Sequence, residues 1–263
     1  MTLQILFIGD IVGKPGRRAC RVLLPDLVRE LRPDAIIANG ENAAGGFGLT
    51  AETADEILGC GVNVITTGNH VWNKKEFYQI LATSDRVIRP ANYPPGAPGR
   101  GAAVVRLGSG ARLCVLNIAG RVFMAPLDCP FRTADRLLEE FSSRCDLFVV
   151  DFHAEATSEK VAMGWYLDGR VACVVGTHTH VQTADERILP GGTAYITDIG
   201  MTGPMDSVIG VRKDIIVQRF LTGLPAKFET SLGPAQLSGA VVSVDEATGK
   251  ARGIERVFVT EGA

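Results

Sequence analysis

Apolar positions in this chain cluster into short runs rich in Val, Ile and Leu, separated by longer amphipathic stretches. Leu3-Gln4-Ile5-Leu6-Phe7-Ile8 and Ala35-Ile36-Ile37-Ala38 are typical of the short runs, which read as strands buried on both faces. The pattern predicts strand 3–9, helix 16–31, strand 34–39, helix 51–59, strand 62–67, helix 74–82 and strand 87–90. Strands alternating with helices imply a largely parallel, helix-covered sheet.

The middle of the chain changes character. Gly101 to Leu107 and Arg112 to Ile118 read as strands joined by Gly108-Ser109-Gly110, a hairpin signal. A helix at 131–143, a strand ending at Val150, a helix at 157–167 and a strand ending at Val175 follow. The last part predicts strands at 193–197, 238–244 and 253–259, with a helix near 212–221. A pair of mixed sheets covered by helices fits this order better than a uniform barrel. Two loops are rich in breakers: Gly45-Gly46-Phe47-Gly48, and Ala91 to Gly101 with Pro94, Pro95 and Pro98. The expectation is one domain over 1–263; whether an insertion around 71–101 forms a small cap is left open.

Composition narrows the class. Of 263 residues, 46% are hydrophobic and 21% charged, as in ordinary globular proteins. A net charge of −2 gives no general attraction to long nucleic acid or to an anionic membrane. Six cysteines without C-x-x-C spacing imply no disulfide framework and fit a reducing cytoplasm. No signal peptide and no membrane span are expected. Oligomeric state, including a homo-oligomer, is left open.

The chemistry lies in the strand ends. All four histidines fall in three motifs, Gly68-Asn69-His70, Asp151-Phe152-His153 and Gly176-Thr177-His178-Thr179-His180. Each follows a run that reads as a strand. Ile8-Gly9-Asp10 and Asn39-Gly40-Glu41-Asn42 follow two more. Ligands in open α/β sheets bind beyond the carboxyl ends of strands, so these residues can meet although distant in sequence. Carboxylates and amides mixed with imidazole suit divalent transition metals. His178 and His180, read as extended, would share one face. Gly9, Gly13 and Gly16 suggest a nucleotide loop, but their spacing misses the G-x-G-x-x-G fingerprint, and Pro15 would occupy the turn. Lys14, Arg17 and Arg18 read either as phosphate contacts or as a solvated helix turn. Asp151, Glu155, Thr179 and Asp198 are candidates to orient the histidines.

This set of motifs resembles the calcineurin-like metallophosphoesterases, and within them the bacterial YmdB-like branch of cyclic-nucleotide phosphodiesterases. The blocks span residues 9 to 180. The resemblance implies a four-layer αββα sandwich of two mixed sheets flanked by helices. It also implies two metal ions, of Fe, Mn or Zn type. Asp10, Glu41, Asn42 and His180 would hold one; Glu41, Asn69, His153 and His178 would hold the other. The wider superfamily carries a histidine where this chain has Val12 and an aspartate where it has Glu41; Asn42 would fill the first vacancy. His70, beside a ligand but not itself one, would serve as general acid or hydrogen-bond donor in the transition state. Substrate-binding residues are not indicated.

The implied activity is hydrolysis of phosphodiesters, with a small cyclic nucleotide, 2',3'-cyclic or 3',5'-cyclic, as substrate. The alternatives are a phosphomonoesterase on the same site, a metal-bound nucleotide sensor with vestigial hydrolysis, and a nucleotide-cofactor oxidoreductase.

Overall fold

Strand β1 (Thr2–Ile8) sends alternate side chains into two different cores. Leu3, Ile5 and Phe7 face one cluster, Leu6 and Ile8 another, and each is at most 1% exposed. A strand apolar at successive positions must lie inside a sheet covered on both faces. In the computed structural model, which describes residues 1–262, the following elements satisfy that demand.

After β1 come β2 (Asp10–Ile11), α1 (Gly13–Leu31), β3 (Ala35–Asn39), α2 (Ala51–Gly59), β4 (Val64–Thr66), α3 (Phe77–Thr83), β5 (Ala102–Arg106) and β6 (Arg112–Ala119). Next are α4 (Pro130–Phe141), β7 (Leu147–His153), α5 (Thr157–Leu167), β8 (Cys173–Thr177), β9 (Arg187–Ile188) and β10 (Ala194–Ile196). The chain finishes with β11 (Met201–Pro204), α6 (Lys213–Thr222), β12 (Ala235–Asp245) and β13 (Ala251–Thr260).

Two mixed sheets result. The first holds parallel β1, β3 and β4, with β12 antiparallel to β1 and β13 antiparallel to β12. Short β2 and β11 pair in parallel and join β12. The second runs β5-β6-β7-β8-β10-β9, parallel from β6 through β10 and antiparallel at both edges. One core fills the space between the sheets, from Phe7, Ile37 and Val242 to Val115, Val149 and Val175. A second joins the first sheet to α1, α2 and α3 through Leu24, Ile57, Phe77 and Leu81. A third joins the other sheet to α4 and α5 through Leu137, Met163 and Leu167. The layers are therefore α, β, β, α, as expected.

Local signals explain several boundaries. Thr50 and Thr53 form a reciprocal cap that opens α2. Pro130 starts α4 where its missing N–H has no cost. Gly223, at φ 69°, closes α6.

Four expectations need correction. The run 87–90 is not a strand: Val87 makes one parallel bridge to Ile65, and Arg89 N turns to Arg100 O. Pro90 has no N–H to continue a ladder. Helix α1 begins at Gly13, a turn earlier than expected, with Pro15 accommodated in its first turn. β7 and β8 run on to His153 and Thr177 instead of stopping at valine. Finally, His178 and His180 are not extended; they sit at φ 99° and 66° in a turn.

Candidate metal centre

The space between the sheets is apolar along most of each strand and turns polar at the carboxyl end. Ile37 gives way to Asn39, Val64 to Thr66, Val115 to Asn117, Val149 to Asp151, and Val175 to Thr177. These are i, i+2 steps, so each polar residue continues the face of the apolar one before it. Asp151, 2% exposed, is the centre of this layer and accepts hydrogen bonds from Thr66 Oγ1, Thr177 Oγ1 (2.7 Å) and Asn39 Nδ2 (3.3 Å). Burial raises its pKa, and His153 and the three donors oppose that rise.

The candidate ligands stand above this layer. Asp10, Glu41 and His153 are fully buried, and Asn42 is 3% exposed. His153 Nε2 is the meeting point: Glu41 Oε1 lies 3.0 Å away, Asn69 Oδ1 2.9 Å and His178 Nδ1 3.1 Å. Glu41, His153 and His178 each present a ligand atom within 4.8 Å of the others. On the other side, His180 Nε2 lies 3.1 Å from the Asn42 amide and 3.7 Å from Asp10 Oδ1. The structure thus brings together all seven residues singled out in the sequence as ligands.

Each imidazole is oriented from behind. His153 Nδ1 meets Thr177 Oγ1 at 2.9 Å, and that hydroxyl donates onward to Asp151. His178 Nε2 faces Glu155 Oε2 at 3.0 Å. His180 Nδ1 donates to Ile209 O at 2.9 Å. The nitrogens left over all point into the cluster, which fixes the tautomer a metal requires.

Electrostatics agree with a cation site. Burial pushes the Asp10 carboxyl up to about 6, against the pull of His180 and His153. Burial opposes charge on Glu41 as well, yet contact with His153 brings it down to about 2. The same contact lifts His153 to about 9 despite burial, so a proton on Nε2 does the work of the cation that would displace it. Burial and the neighbouring His153 push His178 down to about 3, so its contact with Glu155 is a hydrogen bond from a neutral imidazole and not an ion pair. One atom of the cluster stands out. Asp10 Oδ1 is buried and has no hydrogen-bond partner, although Oδ2 accepts from His178 N at 3.1 Å. An ionised oxygen withdrawn from water needs a compensating group. A metal ion fits that need, and the donor set of carboxylate, amide and imidazole suits a transition metal. Asn42 turns its Nδ2 toward Glu41 and His180. A flip of the side-chain amide would bring its oxygen to the same place.

His70 stands apart from the candidate ligands. Its backbone N–H donates to Glu41 Oε2 at 2.9 Å, and its ring, half-buried, meets Phe47 edge-on at 5.0 Å between centroids. Burial lowers its pKa. The ring lines a cavity of about 280 Å³ that opens onto Glu41, Asn42, His178 and His180. Gly68 is required for the approach: a Cβ there would lie 2.2 Å from His153 Nε2 and 2.5 Å from Glu41 Oε2.

The cationic residues near Asp10 are employed elsewhere. Arg17 pairs with Glu56 and Ala43 O, bracing the loop behind Asn42, and Arg18 pairs with Glu261 and Gly233 O. Lys14 is exposed. Residues not singled out in the sequence also matter. Lys160 is 1% exposed and bonds Asp198 Oδ2 at 2.7 Å; that carboxylate also accepts from Thr179 N (3.1 Å) and Thr179 Oγ1 (2.8 Å). A periodic signal marks Lys160: it shares the buried face of α5 with Met163, Gly164 and Leu167 at i+3, i+4 and i+7. Thr66, Thr177 and the carbonyl of Ile209 carried no such signal.

A four-layer sandwich with carboxylates, amides and imidazoles gathered at its strand ends is a metallophosphoesterase-type fold. Within that class the chain belongs to the YmdB-like protein family, whose model matches residues 6–257. It is 49% identical to the 2',3'-cyclic-nucleotide 2'-phosphodiesterase of Bacillus subtilis, over 98% of both chains. Among solved structures it superposes on a hypothetical protein from Thermus thermophilus with TM-score 0.92, 46% identity, and 98% and 100% of the two chains covered. It also superposes on a phosphatase from Mycoplasma pneumoniae with TM-score 0.93, 36% identity, and 99% and 94% covered. No helix among the described residues is long and apolar enough to cross a membrane.

Proposed function

We propose that this protein is a metal-dependent phosphodiesterase that opens small cyclic nucleotides, the 2',3'-cyclic forms foremost. The observation that carries the reading is the buried, unpartnered Asp10 Oδ1 beside the convergence on His153 Nε2. The name of the Bacillus subtilis relative supports the substrate class.

Asp10, Glu41, Asn42 and His180 would hold one ion, and Glu41, Asn69, His153 and His178 a second, with Glu41 shared. Iron, manganese and zinc all suit these donors. Such a pair supplies Lewis acidity, generating a nucleophile from water near neutral pH and neutralising charge on phosphoryl oxygens. The chain's own residues do the rest. Asp151 and Thr177 hold His153 in register, and Glu155 does the same for His178. His70, on the cavity wall, donates its N–H to the departing oxygen. A diester carries one negative charge, which suits a site whose neighbouring arginines are already paired.

The chain acts as one domain. The 71–101 segment, left open as a small cap, contributes Val71, Phe77, Leu81 and Val87 to the same cluster as α1 and α2, which supports one domain. Six free cysteines, four of them buried, fit a reducing cytoplasm.

The test is side-by-side kinetics at one metal loading. Values of kcat/KM should be higher for 2',3'-cyclic nucleotides than for the matching monoesters. Monoesters winning by about tenfold, roughly 1.4 kcal/mol in the barrier, would make the protein a phosphatase. Nucleotide binding without turnover would make it a sensor.

A further inference from the structure

Part of the lining of the cavity beside the candidate ligands is not used by the hydrolytic chemistry. Phe47, Ile209, Val211 and Phe228, with Thr230 among them, give this part an apolar surface, and it adjoins the cluster where Phe47 meets His70 and Ile209 O meets His180. Backbone geometry fixes two of these residues in place. Phe47 rides on a loop whose Gly45, Gly46 and Gly48 adopt φ 72°, 97° and 79°. Ile209 is β-branched and yet sits at φ 46°, half exposed, with its carbonyl fixed by His180. A β-branched residue in that region is strained, and such strain persists where the surrounding structure imposes it. Phe228 is braced by Arg219, whose guanidinium lies 4.8 Å from the ring centroid. The two walls meet at Thr230, which a Cβ on Gly46 would approach to 2.8 Å.

Resting on the proposed cyclic-nucleotide reading, we infer that this apolar part is a nucleobase subsite, with Phe228 and Phe47 as stacking surfaces and Ile209 as its rim. A volume of about 280 Å³ is near the lower end of small-molecule pockets, about 300–1,000 Å³, so the site takes a mononucleotide and not an oligomer. Stacking without base-edge partners reads the π-face that every base has. The subsite therefore accepts all four bases and disfavours substrates without one, by about tenfold or more.

The experiment compares a 2',3'-cyclic nucleotide with a base-less ribose 2',3'-cyclic phosphate on wild type, Phe228→Ala and Phe228→Tyr. Removing a stacking ring lowers affinity by about tenfold. The nucleotide-to-base-less ratio of kcat/KM should fall by roughly that factor in Phe228→Ala and recover in Phe228→Tyr. Calorimetry with a nucleoside monophosphate and with ribose phosphate reads the same ratio in binding. A ratio unchanged by Phe228→Ala, or a difference of more than about tenfold among the four bases in wild type, overturns the subsite. A wild type that hydrolyses neither diester overturns the proposed reaction instead, and the binding ratio still decides the subsite.

Discussion

His153 occupies a regular position on β7, paired in register with Ala119 on one side and Thr177 on the other. His178 and His180 reach the same cluster from a turn, both at positive φ. The strand position costs nothing in backbone energy, whereas a non-glycine residue in the left-handed region costs of order 1–3 kcal/mol. The turn is kept by polar contacts: Asp198, paired with buried Lys160, accepts two hydrogen bonds from Thr179 between the two histidines. One imidazole is placed by the fold itself; the other two are placed by a buried ion pair that tensions a turn. The second kind of placement should be the more fragile.

Five single variants and one double variant sharpen that contrast. His70 belongs to neither arm, so His70→Ala should keep the metal content of wild type while kcat falls by about 10²–10⁴-fold. His153→Ala and His178→Ala should each lose metal as well as activity; elemental analysis beside kinetics separates the cases. Asp198→Ala should release the turn, lowering metal affinity by roughly 10–100-fold. It should also destabilise the protein by about 3–5 kcal/mol, because Lys160 is left buried and unpaired. Adding Lys160→Met should restore much of the stability in denaturant titration without restoring metal affinity. If affinity returns with stability, the ion pair only holds α5 in place and does not tension the turn. Thr177→Val on the strand arm should cost least, near the lower end of the roughly 10–100-fold range for groups behind a ligand, since β7 still directs His153.

Regular elements carried most of what the sequence made legible. Short apolar runs predicted the sheets, and the spacing of Asp10, Glu41, Asn69, His153, His178 and His180 after those runs placed them near one another. The strand ends were misjudged because Asp151, His153 and Thr177 look like loop residues. They are instead the continuation of the inter-sheet face into a buried polar layer, which only the second sheet explains. The extended reading of His178 to His180 failed because no local residue demands a left-handed turn there; Asp198, far along the chain, does. Run 87–90 failed because an apolar run is a strand only when its N–H groups have a ladder to join.

The central claim is that Glu41 is shared by a pair of metal ions. The direct measurement is metal per chain, by elemental analysis of protein reconstituted and freed of excess metal, for wild type and Glu41→Gln. About two ions are expected in wild type and close to none in Glu41→Gln, with circular dichroism unchanged. A wild-type value of one or none, or a Glu41→Gln protein that retains the wild-type count, contradicts it.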